Sequence, residues 1–112
     1  MERLALGHLK RQGLRLLARN YPCRGGELDL VMLDGDMLVF VEVRYRRHDG
    51  HGSGADSIDH RKRHRIIRCA RHWLQANPQH RDRPARFDVV SLGSNRGTVS
   101  VDWIRQAFDC ND

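Results

Sequence analysis

The chain of 112 residues is 39% hydrophobic and 30% charged, too apolar for a disordered polypeptide and too polar for a membrane-embedded one, and its length suits one domain over residues 1–112. Its 20 Lys and Arg stand against 14 Asp and Glu, a net charge of +6 that makes a polyanion, nucleic acid first, the expected partner. No apolar run reaches the ~18–20 residues that cross a bilayer, and residues 1–8 lack the apolar core and cleavage site of a secretory signal, so no membrane association is expected and the cytoplasm is the default location.

Residues 2–11 place Leu4, Ala5 and Leu9 near one helical face, with Arg3, Lys10 and Arg11 elsewhere and Gly13 as a stop. Residues 14–20 lie between Gly13 and Pro22 and read as a strand, although their propensity also suits a helix. After the Arg24-Gly25-Gly26 turn, residues 27–33 form a strand on which Glu27 and Asp29, two apart, point to the same face. Asp34-Gly35-Asp36 signals a hairpin, and residues 37–45, rich in β-branched and aromatic side chains, form a central strand. Residues 46–57 carry three glycines and no apolar period, so they read as a loop.

A long helix capped by Ser57 or Asp56 follows, with Ile58, Ile66, Ile67, Ala70, Trp73 and Leu74 as its apolar stripe, and it ends near Asn77-Pro78. Residues 86–92 make a further strand, reached through that helix by a right-handed parallel crossover. Residues 98–101 suit an edge strand, open to pairing with a second copy in a homodimer. Asp102 suits the cap of a short last helix carrying Trp103, Ile104, Ala107 and Phe108. The order α-β-β-β-α-β makes the fold class α/β, a central mixed sheet flanked by helices. Cys23, Cys69 and Cys110 are odd in number and form no Cys-x-x-Cys pair, so reduced thiols are expected.

A tight hairpin sets Asp29 and Glu42 side by side on neighbouring strands. Two carboxylates facing each other in an apolar sheet repel and are desolvated unless a divalent cation, a proton or a base neutralises them. Mg²⁺ or Mn²⁺, held by carboxylates with its other positions open to water and phosphate oxygens, suits such a pair, and the implied chemistry is phosphodiester hydrolysis. The alternative places both on the solvent face, paired with Arg44 or Arg24 in surface ion pairs worth under about 1 kcal/mol.

Taken in order, Gly26-Glu27-Leu28-Asp29-Leu30, Val39-Phe40-Val41-Glu42-Val43-Arg44, the helix around Lys62 and Arg86-Phe87-Asp88-Val89-Val90 resemble the YraN (UPF0102) family, whose members carry Gly-Glu-Ile-Asp-Leu, Phe-Val-Glu-Val-Lys and Arg-Phe-Asp-Val-Val. The resemblance covers nearly the whole chain. It implies a restriction-endonuclease-like fold, the PD-(D/E)XK nuclease core, similar to archaeal Holliday-junction resolvases. Through it Asp29 matches a metal-binding aspartate, Glu42 the glutamate of Glu-x-Lys, and Glu2 an acidic residue on the first helix; Glu27 belongs to the motif without an assigned role. The chain departs from the pattern at Arg44, which holds the lysine position. An arginine does not deprotonate to act as a base, but it holds a phosphate or orients a water. Glu2 has one residue ahead of it, so the reading expects either a start upstream of Met1 or a loosely held ligand.

The run His60-Arg61-Lys62-Arg63-His64-Arg65 opens the long helix, and Arg61, Arg65 and Arg68 line one ridge that is read either as a track for phosphates or as a solvated face. Lys62 matches a lysine common on this helix in similar proteins and offers an ammonium near the metal. Arg46, Arg47, His48 and His51 suit either a flap over a substrate backbone or a disordered surface loop. His60 and His64 have zinc-ligand spacing without the Glu-x-x-His context, and the cations between them argue against zinc. Trp73 and Trp103 read as core residues on helical stripes, Tyr21 and Tyr45 as packing or base-stacking residues, and Arg86 with Asp88 as an ion pair or a substrate contact. The function expected is therefore a nucleic-acid-binding protein, DNA first, acting as a metal-dependent endonuclease through Asp29, Glu42 and Arg44, with Asp29, Glu42 and Glu2 as metal ligands and Arg46, Arg47, Arg61, Lys62, Arg65 and Arg68 on the nucleic acid. A non-catalytic DNA or RNA clamp on the same fold is the alternative.

Overall fold

Helix α1 (Glu2–Arg11) buries Ala5, Leu6 and Leu9 along one face and gives way at Gly13, whose φ of +96° suits glycine alone. The computed structural model describes residues 2–46 and 58–110. Strands β1 (Arg15–Cys23), β2 (Gly26–Asp34) and β3 (Met37–Arg46) follow as an antiparallel meander. Helix α2 (His60–Ala76) then crosses over, β4 (Ala85–Asn95) returns parallel to β3, and β5 (Thr98–Phe108) folds back antiparallel to β4. The five-stranded mixed sheet, ordered β1-β2-β3-β4-β5, is the α/β class expected.

Alternation along the central strands feeds two cores. Val31, Leu33, Leu38, Phe40, Phe87 and Val89 pack with Ile66, Ile67, Ala70 and Trp73 of α2. Leu30, Met32, Val39, Val41, Val90 and Leu92 pack with Ala5, Leu6 and Leu9 of α1. Each helix covers one face of the sheet, so β3 is apolar on both sides and reads as a near-continuous hydrophobic run. No described helix is long and apolar enough to cross a membrane.

The last segment is a strand rather than the expected short helix. Arg96 and Gly97 have φ of +52° and +80°, the left-handed pair of a two-residue hairpin turn, and they lead β5 back along β4 from the Asn95–Thr98 pair to the Phe87–Phe108 pair. Fully buried Asp88 requires this path. Its carboxylate accepts from Trp103 Nε1 at 2.9 Å and from the Gln106 backbone N–H at 3.0 Å, with Gln106 at a φ of +50°. Arg86 donates to both oxygens of Asp88 and to Asp34, so this pair is structural. Burial opposes the charge of Arg86, but Asp88 and Asp34 more than offset it and its pKa is raised. Trp103 accordingly sits on a strand, and Asp102 pairs with Arg46 instead of capping a helix.

Three further expectations change. The cap of α2 is Asp59, whose carboxylate accepts from the Lys62 N–H at 2.9 Å, because Ile58 is drawn into the core just ahead of it; Asp56 and Ser57 lie outside the described residues. Strand β1 continues through Pro22 to Cys23, which an edge strand tolerates. Cys23 and Cys69 are joined in a disulfide, their Cα atoms 5.5 Å apart across a sequence separation of 46, because the end of β1 packs against α2; Cys110 is a free thiol.

Candidate functional site

The last pair joining β2 to β3 is Leu30–Val41. Beyond it the backbone ladder stops, and the Val43 N–H donates to Asp29 Oδ2 at 2.8 Å. Strand β1 bends at the same level. Asn20, between the Arg19–Leu30 and Tyr21–Leu28 pairs, has a φ of +52°, a left-handed conformation that Asn adopts more readily than most residues. The alternation of β2 changes phase here, since Leu28 packs in the core under α2 and Leu30 in the core under α1, two positions that a regular strand keeps on one face.

This irregularity gathers acidic groups from separate elements. Ligand oxygens of Glu2, Glu27 and Asp29 all lie within 4.8 Å of one another. With its amide oriented to satisfy both groups, Asn20 donates to Glu2 Oε2 at 3.0 Å. Glu2 sits in the first turn of α1, where the helix dipole favours an anion. Glu42, only 6% exposed, is on the α2 side of β3, and Lys62 Nζ reaches its Oε2 at 2.8 Å. That burial excludes the solvent-face alternative for Glu42.

Asp29 is the electrostatic centre of the cluster. Its pKa is pushed up from an ordinary 3.8 to about 7, first by burial and then by repulsion from Glu42. The Val43 N–H pulls the other way, while Glu2 and a hydrogen bond with the Glu42 carboxyl group raise it further. Near neutral pH Asp29 is therefore close to the midpoint of its titration. An all-oxygen donor set with excess negative charge fits a hard divalent ion such as Mg²⁺ or Mn²⁺.

The structure thus brings together Asp29, Glu42 and Glu2, with Glu27 and Lys62 beside them. Arg44, partly buried, follows Glu42 on the same face of β3 and lies beside Ser91 of β4. Arg61, Lys62, Arg65 and Arg68, with Gly25, Asp59 and His64, line an open cleft of about 590 Å³. Arg46, the last residue of β3, is engaged by Asp102. Arg47, His48 and His51 lie outside the described residues. His60 and His64 meet edge to face, with ring centroids 6.3 Å apart, and among the described residues no third metal-ligand side chain joins them. Tyr21 bonds through its hydroxyl to His72 Nδ1 at 2.6 Å, and Trp73 is buried in the core. Sequence reasoning missed Asn20, whose signal was an Asn in the middle of a strand, a residue type enriched at positive φ.

A family model described as "Uncharacterised protein family UPF0102" matches residues 1–92. The chain is 55% identical over 107 residues to a UPF0102 protein of Pseudomonas entomophila (strain L48), covering 95% of this chain and 87% of the relative. It is 54% identical over 110 residues to a UPF0102 protein of Pseudomonas putida (strain GB-1), covering 97% and 89%. A UPF0102 protein of Stutzerimonas stutzeri (strain A1501) is 53% identical over 108 residues, covering 96% and 90%.

Proposed function

Because this chain belongs to the UPF0102 family, whose description names no activity, its function has to be read from the carboxylate cleft, and we propose that it binds nucleic acid, DNA first, and hydrolyses phosphodiester bonds there with a bound Mg²⁺ or Mn²⁺. The observation that carries this reading is the convergence of Glu2, Glu27 and Asp29 next to the Glu42–Lys62 pair, at the border of a cleft lined by arginines. The element order α-β-β-β-α-β supports the nuclease-like reading of the fold that accompanies it.

Asp29, Glu2 and Glu27 would hold the cation, with Glu42 as the further carboxylate of the site. When bound, the cation supplies charge neutralisation at the phosphate and activation of water. The chain's own residues do the rest. The Val43 N–H fixes one oxygen of Asp29 and so holds its carboxylate beside those of Glu2 and Glu27. Lys62 offsets the buried charge of Glu42 and supplies the ammonium that the position of Arg44 lacks. The Arg44 guanidinium would hold the non-bridging oxygens of the scissile phosphate as negative charge builds on them.

Calorimetric titration with Mn²⁺ and Mg²⁺, on the wild type and on Asp29→Ala with Glu42→Ala, tests the reading alongside cleavage assays on branched and linear DNA. Metal binding and cleavage by the wild type, both lost in the double variant, are expected. Retained cleavage in that variant overturns the site. Salt-dependent DNA binding by the wild type without any metal-dependent turnover favours the non-catalytic clamp, the reading to which the arginine at position 44 lends weight.

A further inference from the structure

Among the described residues, Arg46, Arg83 and Arg86 have carboxylate partners, whereas Arg61, Arg65 and Arg68 have none. These three line the cleft that shares Lys62 with the carboxylate site. Among the described residues, Asp59 is the one carboxylate lining it, and it is engaged as the cap of α2. Like charges crowded in this way repel one another, and a polyanion relieves that repulsion.

Arg65 is not a loose surface arginine. It is half-buried, its Nε is buried without a hydrogen-bond partner, and its side chain lies directly over Gly26. A Cβ at position 26 would fall 2.8 Å from Arg65 Nε and 3.0 Å from its Cδ. Gly26 is absent from the residues of positive φ, so space rather than backbone conformation accounts for a glycine there. The same junction is cross-linked, because Cys23 pairs with Gly26 across the β1–β2 turn and is bonded to Cys69, four residues beyond Arg65 on α2. Floor and wall of the cleft are thereby held at one distance.

We propose that this cleft is a phosphate subsite, in which Arg65, seated on Gly26 and flanked by Arg61 and Arg68, holds one backbone phosphodiester of the nucleic acid next to the bond presented to Asp29 and Glu42. The identity of the ligand rests on the function proposed above; the subsite itself rests on the Gly26–Arg65 packing and the unpaired arginines.

Binding of a short fluorescent DNA duplex, followed by anisotropy in EDTA over a salt series, isolates the subsite from catalysis. Gly26→Ala leaves the net charge unchanged yet displaces Arg65, so it is expected to weaken binding roughly tenfold and to lower the salt slope by about one, as is Arg65→Ala. The double variant, in which the added methyl no longer meets the Arg65 guanidinium arm, is expected to bind no more weakly than Arg65→Ala alone. Arg11→Ala, on α1 at the other face of the sheet, removes the same charge and is expected to bind as the wild type does. An equal loss in Arg11→Ala overturns the subsite in favour of diffuse charge. Unchanged affinity in Gly26→Ala and Arg65→Ala beside normal metal-dependent cleavage overturns the subsite alone. Absent cleavage with the Gly26 and Arg65 effects intact overturns the hydrolytic reading alone, and a wild type that binds no duplex overturns both. Tighter binding of duplexes with 5′-phosphate ends than of those with 5′-hydroxyl ends makes the ligand a terminal monoester and overturns the backbone assignment.

Discussion

Replacing Asp29 by Asn keeps the 2.8 Å hydrogen bond from the Val43 N–H, since an amide oxygen accepts as a carboxylate does, and removes the charge that burial disfavours and that Glu42 and Glu2 repel. The rise of the Asp29 pKa from 3.8 to about 7 is equivalent to about 4 kcal/mol at full weight. Because Asp29 is only partly buried, solvent screening brings the usable figure to about 2 kcal/mol. Between pH 3.8 and about 7 the folded state keeps a proton on Asp29 that the unfolded state has released. Stability from this group therefore falls as pH rises through that window and is lowest above it. Asp29→Asn is expected to match the wild type near the bottom of the window and to exceed it by about 2 kcal/mol above the top, a gain in Tm on the order of 8 °C for a chain of this size. Urea unfolding in EDTA across that pH range measures the gap. A gap that does not change with pH, or a variant less stable than the wild type in the alkaline arm, refutes the burial and repulsion that hold the Asp29 pKa up. Mn²⁺ added in the alkaline arm is expected to close the gap by stabilising the wild type alone.

Two further outcomes rest on buried or covalent links. Cys23→Ser with Cys69→Ser opens a connection spanning 46 positions, which the chain-entropy relation values at about 4 kcal/mol; thermal unfolding of the wild type with and without reductant should show the same loss, and equal Tm values contradict it. Asp88→Ala strands the Trp103 and Gln106 donors and removes one partner of Arg86, an expected cost of about 3–5 kcal/mol. Asp34→Ala, at a carboxylate 40% exposed, should cost under about 1 kcal/mol, so similar losses in urea at the two positions overturn the structural role given to Asp88.

The approach of Asp29 to Glu42 was legible because it depends on short-range rules. The Asp34-Gly35-Asp36 hairpin, with Gly35 at a φ of +62°, makes β2 and β3 neighbours, and a period of two assigns their faces. The final strand was not legible for the opposite reason. Trp103, Ile104, Ala107 and Phe108 have helical spacing, so local pattern favours a helix. The two-residue turn at Arg96-Gly97 and the demand of buried Asp88 for donors override it, a case of tertiary context prevailing over propensity.

The sequence by itself determined the order of elements from α1 to β4, the α/β class, the carboxylates of β2 and β3 and the basic face of α2, since periodicity, turn residues and charge act over a few positions. Only the tertiary structure decided that Lys62 satisfies Glu42, that Cys23 meets Cys69, that Glu2 and Glu27 converge on Asp29, and that Arg65 seats on Gly26. Apart from Glu27 and Asp29, which share β2, those contacts join different elements, many of them tens of residues apart along the chain, and they follow from how two helices pack on opposite faces of one twisted sheet, a geometry that the spacing of residues along a single strand or helix does not contain.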